Sequence, residues 1–175
     1  DMAAFGAVPG LTIAAPMNEP ELRNMMYTAL GSGHPFMIRY PRGHGEGLPW
    51  RGEKFETLPV GRGRRLREGA DVALLTVGTV GNAAARAAGR AAAEGVSVAH
   101  YDLRFVKPLD EALLDEVGRK FRRVVTVEDG SLRGGVGEAV AAFFNGRGYD
   151  VRVQRLGIGD EWVEHGTPGQ SVSYT

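Results

Sequence analysis

The sequence contains no cysteine among its 175 residues. Disulfide bonds, thiolate metal sites and cysteine nucleophiles are therefore excluded. A chain of this kind suits a reducing compartment, and we expect a cytoplasmic location. No apolar run approaches the roughly 18 residues typical of a membrane span, and the first residues lack the basic-then-apolar order of a signal peptide.

An excess of charge of either sign is also lacking, because 21 basic residues balance 21 acidic ones. This balance argues against nucleic acid or an anionic membrane as the main partner. The hydrophobic fraction of 43% and the charged fraction of 24% are those of an ordinary globular protein. The length allows one large core or two smaller ones.

Complete catalytic motifs are absent as well. The four histidines are too scattered for metal-ligand spacing: His34, His44, His100 and His165. No Ser-His-Asp set, nucleophile elbow or P-loop can be assembled. The sequence therefore predicts no catalytic, cofactor-binding or metal-binding residue within this chain.

The first 40 residues have the pattern of a strand, a helix and a second strand. Residues 11–15 are apolar and predict a buried strand, and residues 36–40 predict another. Between them, Asn18 is a candidate helix cap, followed by apolar residues at helical spacing: Leu22, Met25, Met26 and Leu30. This order predicts one βαβ unit. The glycine- and proline-containing residues 41–56 then predict an interdomain linker.

A second block with regular alternation follows. Residues 61–68 are rich in arginine, and an exposed edge strand explains them better than a nucleic-acid patch. Beyond them, strands are expected at 72–77, 96–101, 124–127 and 151–156, and helices at 82–94, 110–120 and 135–145. Strands separated by helices of this length predict an α/β fold with a mostly parallel sheet covered on both faces.

Ligands of open α/β sheets bind beyond the carboxyl ends of the strands, so residues at those ends are the candidates for a site. The first candidate is the loop at residues 39–43, where Arg39 and Arg42 flank Pro41. A guanidinium can bind phosphate or carboxylate with two hydrogen bonds, and the proline fixes the backbone before Arg42. The alternative is that these arginines form structural salt bridges.

Three further strand ends favour structural roles. The turn at residues 78–82 lacks the full dinucleotide-binding pattern, and no acidic residue is expected to end the next strand. Glu128 and Asp129 are adjacent carboxylates that could serve acid-base or metal chemistry, but capping the next helix or pairing with a partner domain is favoured. In residues 102–110, Pro108 and Asp110 predict a helix entry, and the basic residues predict buried or interdomain ion pairs.

Several strings in this order resemble one family of enzymes. They are Ile13-Ala14-Ala15-Pro16, Glu21-Leu22-Arg23, the loop at 39–43, the Arg-Phe-Val-Lys-Pro-Leu-Asp core of 102–110, and Thr126-Val127-Glu128-Asp129. Together, to about Gly166, they resemble the C-terminal portion of the 1-deoxy-D-xylulose-5-phosphate synthases, which are transketolase-like. The resemblance implies the end of a parallel-sheet pyrimidine-binding domain at 1–43, a linker at 44–59, a transketolase C-terminal-type three-layer α/β/α domain at 60–170 and a tail at 171–175.

The resemblance also implies a function. Such synthases use thiamin diphosphate and Mg2+ to condense pyruvate with D-glyceraldehyde 3-phosphate, release CO2, and feed isoprenoid, thiamin and pyridoxal synthesis. Arg42 matches the family arginine that contacts the phosphate of the acceptor aldehyde, whereas Arg39 matches no assigned contact. The cofactor ligands lie upstream of Asp1 in the family pattern, so this segment alone is expected to be inactive and to need the remaining N-terminal part of the enzyme.

Other functions stay open beside this one. The chain could belong to transketolase itself, to the β subunit of a 2-oxo acid dehydrogenase, or to a noncatalytic dimerisation module. We expect the opening segment to border the active site and the second domain to brace a homodimer. The sequence departs from the family near its end, because residues 168–175 do not show the helix that the family has after His165-Gly166-Thr167.

Overall fold

The computed structural model describes residues 1–52 and 54–163. Within these ranges the chain forms five helices and eight strands. In chain order they are α1 (Met2–Phe5), β1 (Thr12–Ala14), α2 (Glu19–Gly31), β2 (Phe36–Ile38), β3 (Arg64–Arg67), β4 (Val72–Val77), α3 (Val80–Ala93), β5 (Val98–Asp102), β6 (Phe105–Lys107), α4 (Glu111–Lys120), β7 (Arg123–Ser131), α5 (Val136–Gly146) and β8 (Arg152–Ile158).

The smaller sheet has three strands in the order β2-β1-β6. β1 and β2 are parallel, as the expected βαβ unit requires, and β1 is central and fully buried at Ile13 and Ala14. β6 was not predicted, because residues 102–110 were interpreted as a helix entry. It pairs antiparallel with β1, and its Phe105 packs with Ala14, Met25 and Leu58 in one apolar cluster. The chain after β5 therefore completes the sheet that the chain before residue 40 begins.

Helix α2 begins as the sequence predicts. The Asn18 side chain accepts a hydrogen bond from the Glu21 backbone N–H at 3.1 Å, which satisfies one of the unpaired donors of the first turn. The apolar stripe is only partly covered, however. Met25 is fully buried, whereas Met26 is 55% exposed and Leu30 is 87% exposed.

The larger sheet has the order β3-β5-β4-β7-β8 and is parallel except for β3. Alternation along β4 explains the layers: Ala73, Leu75 and Val77 join the cluster formed with α4 and α5, while Leu74 joins the cluster formed with α3. Helices therefore cover both faces. This three-layer α/β/α arrangement confirms the expected fold class.

Strand β3 confirms the expectation of a charged edge strand. Of the strands in the described ranges it pairs only with β5, and Arg65 binds Glu68 at 2.8 Å and Glu116 at 3.0 Å. Charged side chains on an edge discourage pairing with other chains. In residues 1–52 and 54–163, no helix has both the length and the apolar character that crossing a membrane requires.

Two expectations concern residues outside those that the structure describes. They are the end of the second domain at residue 170 with its tail at 171–175, and the position of His165. Elsewhere the expected elements shift by a few residues: β7 continues to Ser131, and β5 includes Asp102.

Candidate functional site

The carboxyl ends of the two sheets adjoin each other. The Asn82 side chain at the start of α3 donates to the Met17 carbonyl at 2.8 Å, just after β1. A methyl group built at Gly78, after β4, would lie 3.5 Å from Cβ of Ala15. Both carboxyl edges are the places where α/β sheets bind ligands, so their junction is the candidate site.

Arg39, at the end of β2, is locked by ion pairs. Its Nη1 lies 2.8 Å from Oδ2 of Asp129 on β7, and its Nε lies 3.5 Å from Oδ2 of Asp1. Its backbone N–H donates to the Ala14 carbonyl at 2.9 Å. For Arg39, therefore, the structure shows the salt-bridge alternative.

Arg42 differs from Arg39 in each of these respects. It is exposed, as are its neighbours along residues 41–50. It makes no hydrogen bond, ion pair or ring contact with any residue in the described part of the chain. A guanidinium without a protein partner keeps its five donors available for an anion.

The far side of the same loop is held by Glu19, in the first turn of α2. Its Oε1 accepts a hydrogen bond from the Gly47 backbone N–H at 2.7 Å. Backbone hydrogen bonds, that of Glu19 itself first and that of Gly47 second, lower the pKa of this carboxyl. Gly45 packs so closely on the Glu19 carboxylate that an added Cβ would collide with it. The loop is thus fastened at both ends, with Arg42 between them.

Glu128 is used inside the protein. Its side chain is 1% exposed and accepts hydrogen bonds from the backbone N–H groups of Val136 at 2.9 Å and Gly137 at 2.8 Å. Burial raises the pKa of this carboxyl, although the two hydrogen bonds oppose the rise. Capping of the next helix is thereby confirmed for Glu128. Its neighbour Asp129, for which the sequence assigned no separate role, pairs with Arg39.

A second group of charges joins α2 to the larger sheet. Glu21 accepts from Nε and Nη2 of Arg104, both at 2.8 Å, and lies 2.8 Å from Nη1 of Arg64. Arg64 also lies 3.1 Å from Oδ2 of Asp102. These four residues are called the Glu21 network below. The network confirms the expected ion pair for Arg104, whereas Lys107 donates instead to the backbone carbonyls of Gly6 and Val8.

The backbone at Arg104 is unusual, because its φ is +57°. Side chains other than glycine rarely adopt this left-handed conformation, so the surrounding contacts must hold it. Asp102 contributes by accepting from the Arg104 backbone N–H at 3.1 Å. Burial raises the pKa of Asp102, opposed chiefly by Arg64.

The turn between β4 and α3 has the structural role that the sequence favours. Gly78 has φ +78°, and the Asn82 side-chain amide donates hydrogen bonds to the Met17 and Thr79 carbonyls. The expectation that no acidic residue ends the next strand was wrong, because β5 ends at Asp102. Its carboxylate is held by Arg64 and is 1% exposed, which leaves it unsuited to a ribose hydroxyl.

In the described part of the chain, no group of three or more His, Cys, Asp or Glu side chains is placed so that it could bind a metal ion. Glu128, Asp129 and Asp102 are each committed to other partners. The described residues therefore do not fit a Mg2+ site.

Sequence reasoning missed the contacts that hold the loop. Asp129 lies 90 residues after Arg39, and Gly47 lies 28 residues after Glu19. Pairs at such separations leave no local pattern. The one available signal was Pro41 with its flanking arginines, and it identified the loop without its anchors.

Comparison with known proteins gives a consistent result. Residues 61–175 match the family model described as "Transketolase, C-terminal domain". The chain is 52% identical over 172 residues to 1-deoxy-D-xylulose-5-phosphate synthase of Bacteroides fragilis, covering 97% of this chain and 26% of that protein. The same enzyme of Symbiobacterium thermophilum is 44% identical over 170 residues, again covering 97% and 26%. The chain thus spans about a quarter of the length of the curated relatives it matches.

The fold has a relative among solved structures. A split gene transketolase, in an inactive beta4 tetramer, superposes with a TM-score of 0.79 at 29% sequence identity. The match covers 91% of this chain and 52% of that one.

Proposed function

Because this chain belongs to the transketolase C-terminal domain family, we propose that it is the C-terminal part of a thiamin diphosphate-dependent synthase. The reaction is the condensation of pyruvate with D-glyceraldehyde 3-phosphate to 1-deoxy-D-xylulose 5-phosphate, with release of CO2. Two relatives named 1-deoxy-D-xylulose-5-phosphate synthase are 52% and 44% identical to this chain, whereas the split gene transketolase is 29% identical. These values favour the synthase over transketolase.

Arg42 is the residue of this chain that we propose to contact substrate, at the phosphate of the acceptor aldehyde. The observation that carries the assignment is the loop fastened at Arg39 and Gly47, with an exposed guanidinium between the two anchors that has no partner among the residues the structure describes. A phosphate dianion suits the planar guanidinium fork, and a preorganised loop lowers the entropy cost of binding.

Thiamin diphosphate and Mg2+ are proposed to bind to other parts of the enzyme, since the described residues supply no metal ligand set. In this proposal residues 1–43 end the pyrimidine-binding domain, 44–59 link the domains, 60–170 form the second domain, and 171–175 are a tail. By itself the segment has no turnover, and its second domain braces a homodimer.

The partner that we propose for α2 and β2 is the N-terminal part of the same enzyme. A groove of about 400 Å3 lies on this face, lined by Met26, Ala29, Leu30, His34, Phe36 and Ile38. Among the described residues, β2 pairs on one side only. An exposed apolar groove beside an unpaired strand edge is suited to a further strand or helix.

Replacement of Arg42 by alanine in the full-length enzyme tests the assignment. Loss of a charge-assisted bidentate contact, worth about 1.5 to 3 kcal/mol, should raise KM for D-glyceraldehyde 3-phosphate roughly 10- to 100-fold. KM for pyruvate should change less than about twofold, because the contact concerns only the acceptor. Steady-state kinetics with each substrate varied in turn measures both values.

Two variants complete that experiment. Arg42→Lys keeps the charge without the planar fork and should give an intermediate KM. Arg90→Ala removes an exposed arginine from the last turn of α3 and should leave both constants unchanged. An Arg42→Ala enzyme with normal KM for the aldehyde phosphate would remove Arg42 from the substrate site.

A further inference from the structure

A side chain of the larger sheet reaches the strand end from which the loop that carries Arg42 begins. Asp129 lies on β7, and its Oδ2 lies 2.8 Å from Nη1 of Arg39 at the end of β2. Arg39 is 17% exposed and Asp129 is 36% exposed. A charge-assisted hydrogen bond at this distance, between half-buried groups, is stronger than one between fully solvated side chains.

The connection from Arg39 to Arg42 is short. Arg39 is fixed at its backbone by the Ala14 carbonyl and at its side chain by Asp129 at 2.8 Å and, more weakly, by Asp1 at 3.5 Å. Pro41 then restricts one of the few remaining backbone torsions before Arg42. Arg39 is therefore the last residue before Arg42 that the described contacts hold in place.

The other candidate roles for Asp129 are less well supported. Its neighbour Glu128 is turned into the protein, where its carboxylate accepts from the backbone N–H groups of Val136 and Gly137, so the two carboxylates do not share a proton or an ion. No cluster of metal-ligating side chains includes Asp129 within the described ranges. What Asp129 does contact, at hydrogen-bonding distance, is the residue that anchors the loop.

We propose that Asp129 is a positioning residue, which aims Arg42 at the phosphate of the acceptor substrate through its ion pair with Arg39. This inference rests on the proposed function of Arg42. It makes the second domain part of the substrate site, through a residue that itself touches no substrate. Glu19, bound to Gly47, holds the opposite end of the loop.

Steady-state kinetics of Asp129→Asn in the full-length enzyme tests the proposal. Weakening the ion pair should raise KM for D-glyceraldehyde 3-phosphate about three- to tenfold, the scale of one partly buried charge-assisted hydrogen bond. KM for pyruvate and kcat should stay within about twofold, because the reacting carbon is not contacted. Asp129→Glu keeps the charge and should recover much of the affinity.

A double variant separates positioning from general stability. When Arg42 is already alanine, there is no guanidinium left to aim, so adding Asp129→Asn should not raise KM further. Asp150→Asn is the matched control, because Asp150 pairs with Arg122 at 3.1 Å and is 94% exposed. That control should behave as the parent enzyme does.

The outcomes distinguish this inference from the proposed function. If KM for D-glyceraldehyde 3-phosphate is normal in Asp129→Asn but raised in Arg42→Ala, the positioning role is overturned and the phosphate contact is retained. A second increase in the double variant overturns it as well, since Asp129 would then act without Arg42. Normal KM in Arg42→Ala removes both. Should Asp129→Asn fail to fold, Arg39→Lys replaces it, with the same expected rise and the same double-variant test.

Discussion

His100 illustrates how burial changes a single side chain. The ring is 1% exposed, and its Nε2 lies 2.9 Å from the Thr76 hydroxyl. Loss of solvent, with a smaller effect of the nearby Arg64 guanidinium, lowers the pKa of His100 to about 4. The folded protein therefore disfavours protonation of this imidazole, whereas the unfolded chain takes up a proton near its ordinary pKa of about 6.5.

The pH dependence of stability follows from that difference. As pH falls from about 6.5 to 4, the unfolded state gains a proton that the folded state does not, so the free energy of unfolding should fall by roughly 2 to 3 kcal/mol. Urea unfolding at several pH values measures it. In His100→Gln the part of the decrease that belongs to this residue should vanish, while the exposed His34→Gln control keeps it. If the free energy of unfolding falls equally with pH in the parent, His100→Gln and His34→Gln, the prediction is contradicted.

The adjacent carboxylates of Glu128 and Asp129 have different environments and different partners. Glu128 caps α5 inside the protein, and Asp129 pairs with Arg39 at the surface of the junction. Successive residues of a strand point to opposite faces, so adjacent positions cannot share one environment. The sequence allowed several roles for the pair, and only the orientation of β7 separated them.

Among the elements, the Glu21 network joins α2 to β3 and β5. Glu21 and Asp102 are buried, and Arg104 is 15% exposed, so the charges depend on one another rather than on water. A buried ion pair adds little net stability over apolar packing, but removing one member leaves the other charge buried without compensation. The network therefore fixes how α2 sits on the larger sheet.

Substitution of Glu21 by glutamine should be costly for this reason. We expect the free energy of unfolding to fall by about 3 kcal/mol, as measured by urea unfolding at neutral pH. Glu111→Gln is the control, because the Arg147–Glu111 pair has the same 2.8 Å distance with side chains 50% and 65% exposed. It should lose less than about 1 kcal/mol. Comparable losses at both positions would show that burial does not govern the Glu21 network.

At the level of the whole molecule, the exposed face of α2 and β2 is where we propose that the N-terminal part of the enzyme packs. Leu30 is 87% exposed and Met26 is 55% exposed, although both have the spacing of a buried helical face. The curated relatives contain about four times the length of this chain, since it covers 26% of them. Burial of this face by the N-terminal part would account for the pattern.

Leu30→Asp should therefore affect two proteins differently. In the full-length enzyme the aspartate would be buried, and the urea midpoint should fall by the equivalent of about 2 kcal/mol or more. In the 175-residue chain the same position is exposed, and the change should be below about 1 kcal/mol. Val96→Asp, at a residue that is 39% exposed, should be mild in both. If Leu30→Asp lowers the stability of the full-length enzyme and of the 175-residue chain equally, the N-terminal part does not bury this face.

Local rules account for much of the architecture. Asn18 capped α2, Asp110 capped α4 with its side chain accepting from the Leu113 backbone N–H, and the apolar run at 72–77 became β4 with the expected bounds. These features depend on residues within a few positions of each other, so one sequence reveals them. Sheet order and β6 depend on pairing across long separations and could not be read in this way.

The sequence by itself determined the alternation of strands and helices, the charged edge strand, the helix caps and the loop with its two arginines. Only the tertiary structure decided that Arg39 is held by Asp129 while Arg42 has no partner among residues 1–52 and 54–163, and that Glu21 is shared by Arg64 and Arg104. The physical reason is the separation along the chain over which each interaction acts. Propensity and capping act between neighbours in the chain, whereas an ion pair forms between groups that folding brings together from 38 to 90 positions apart.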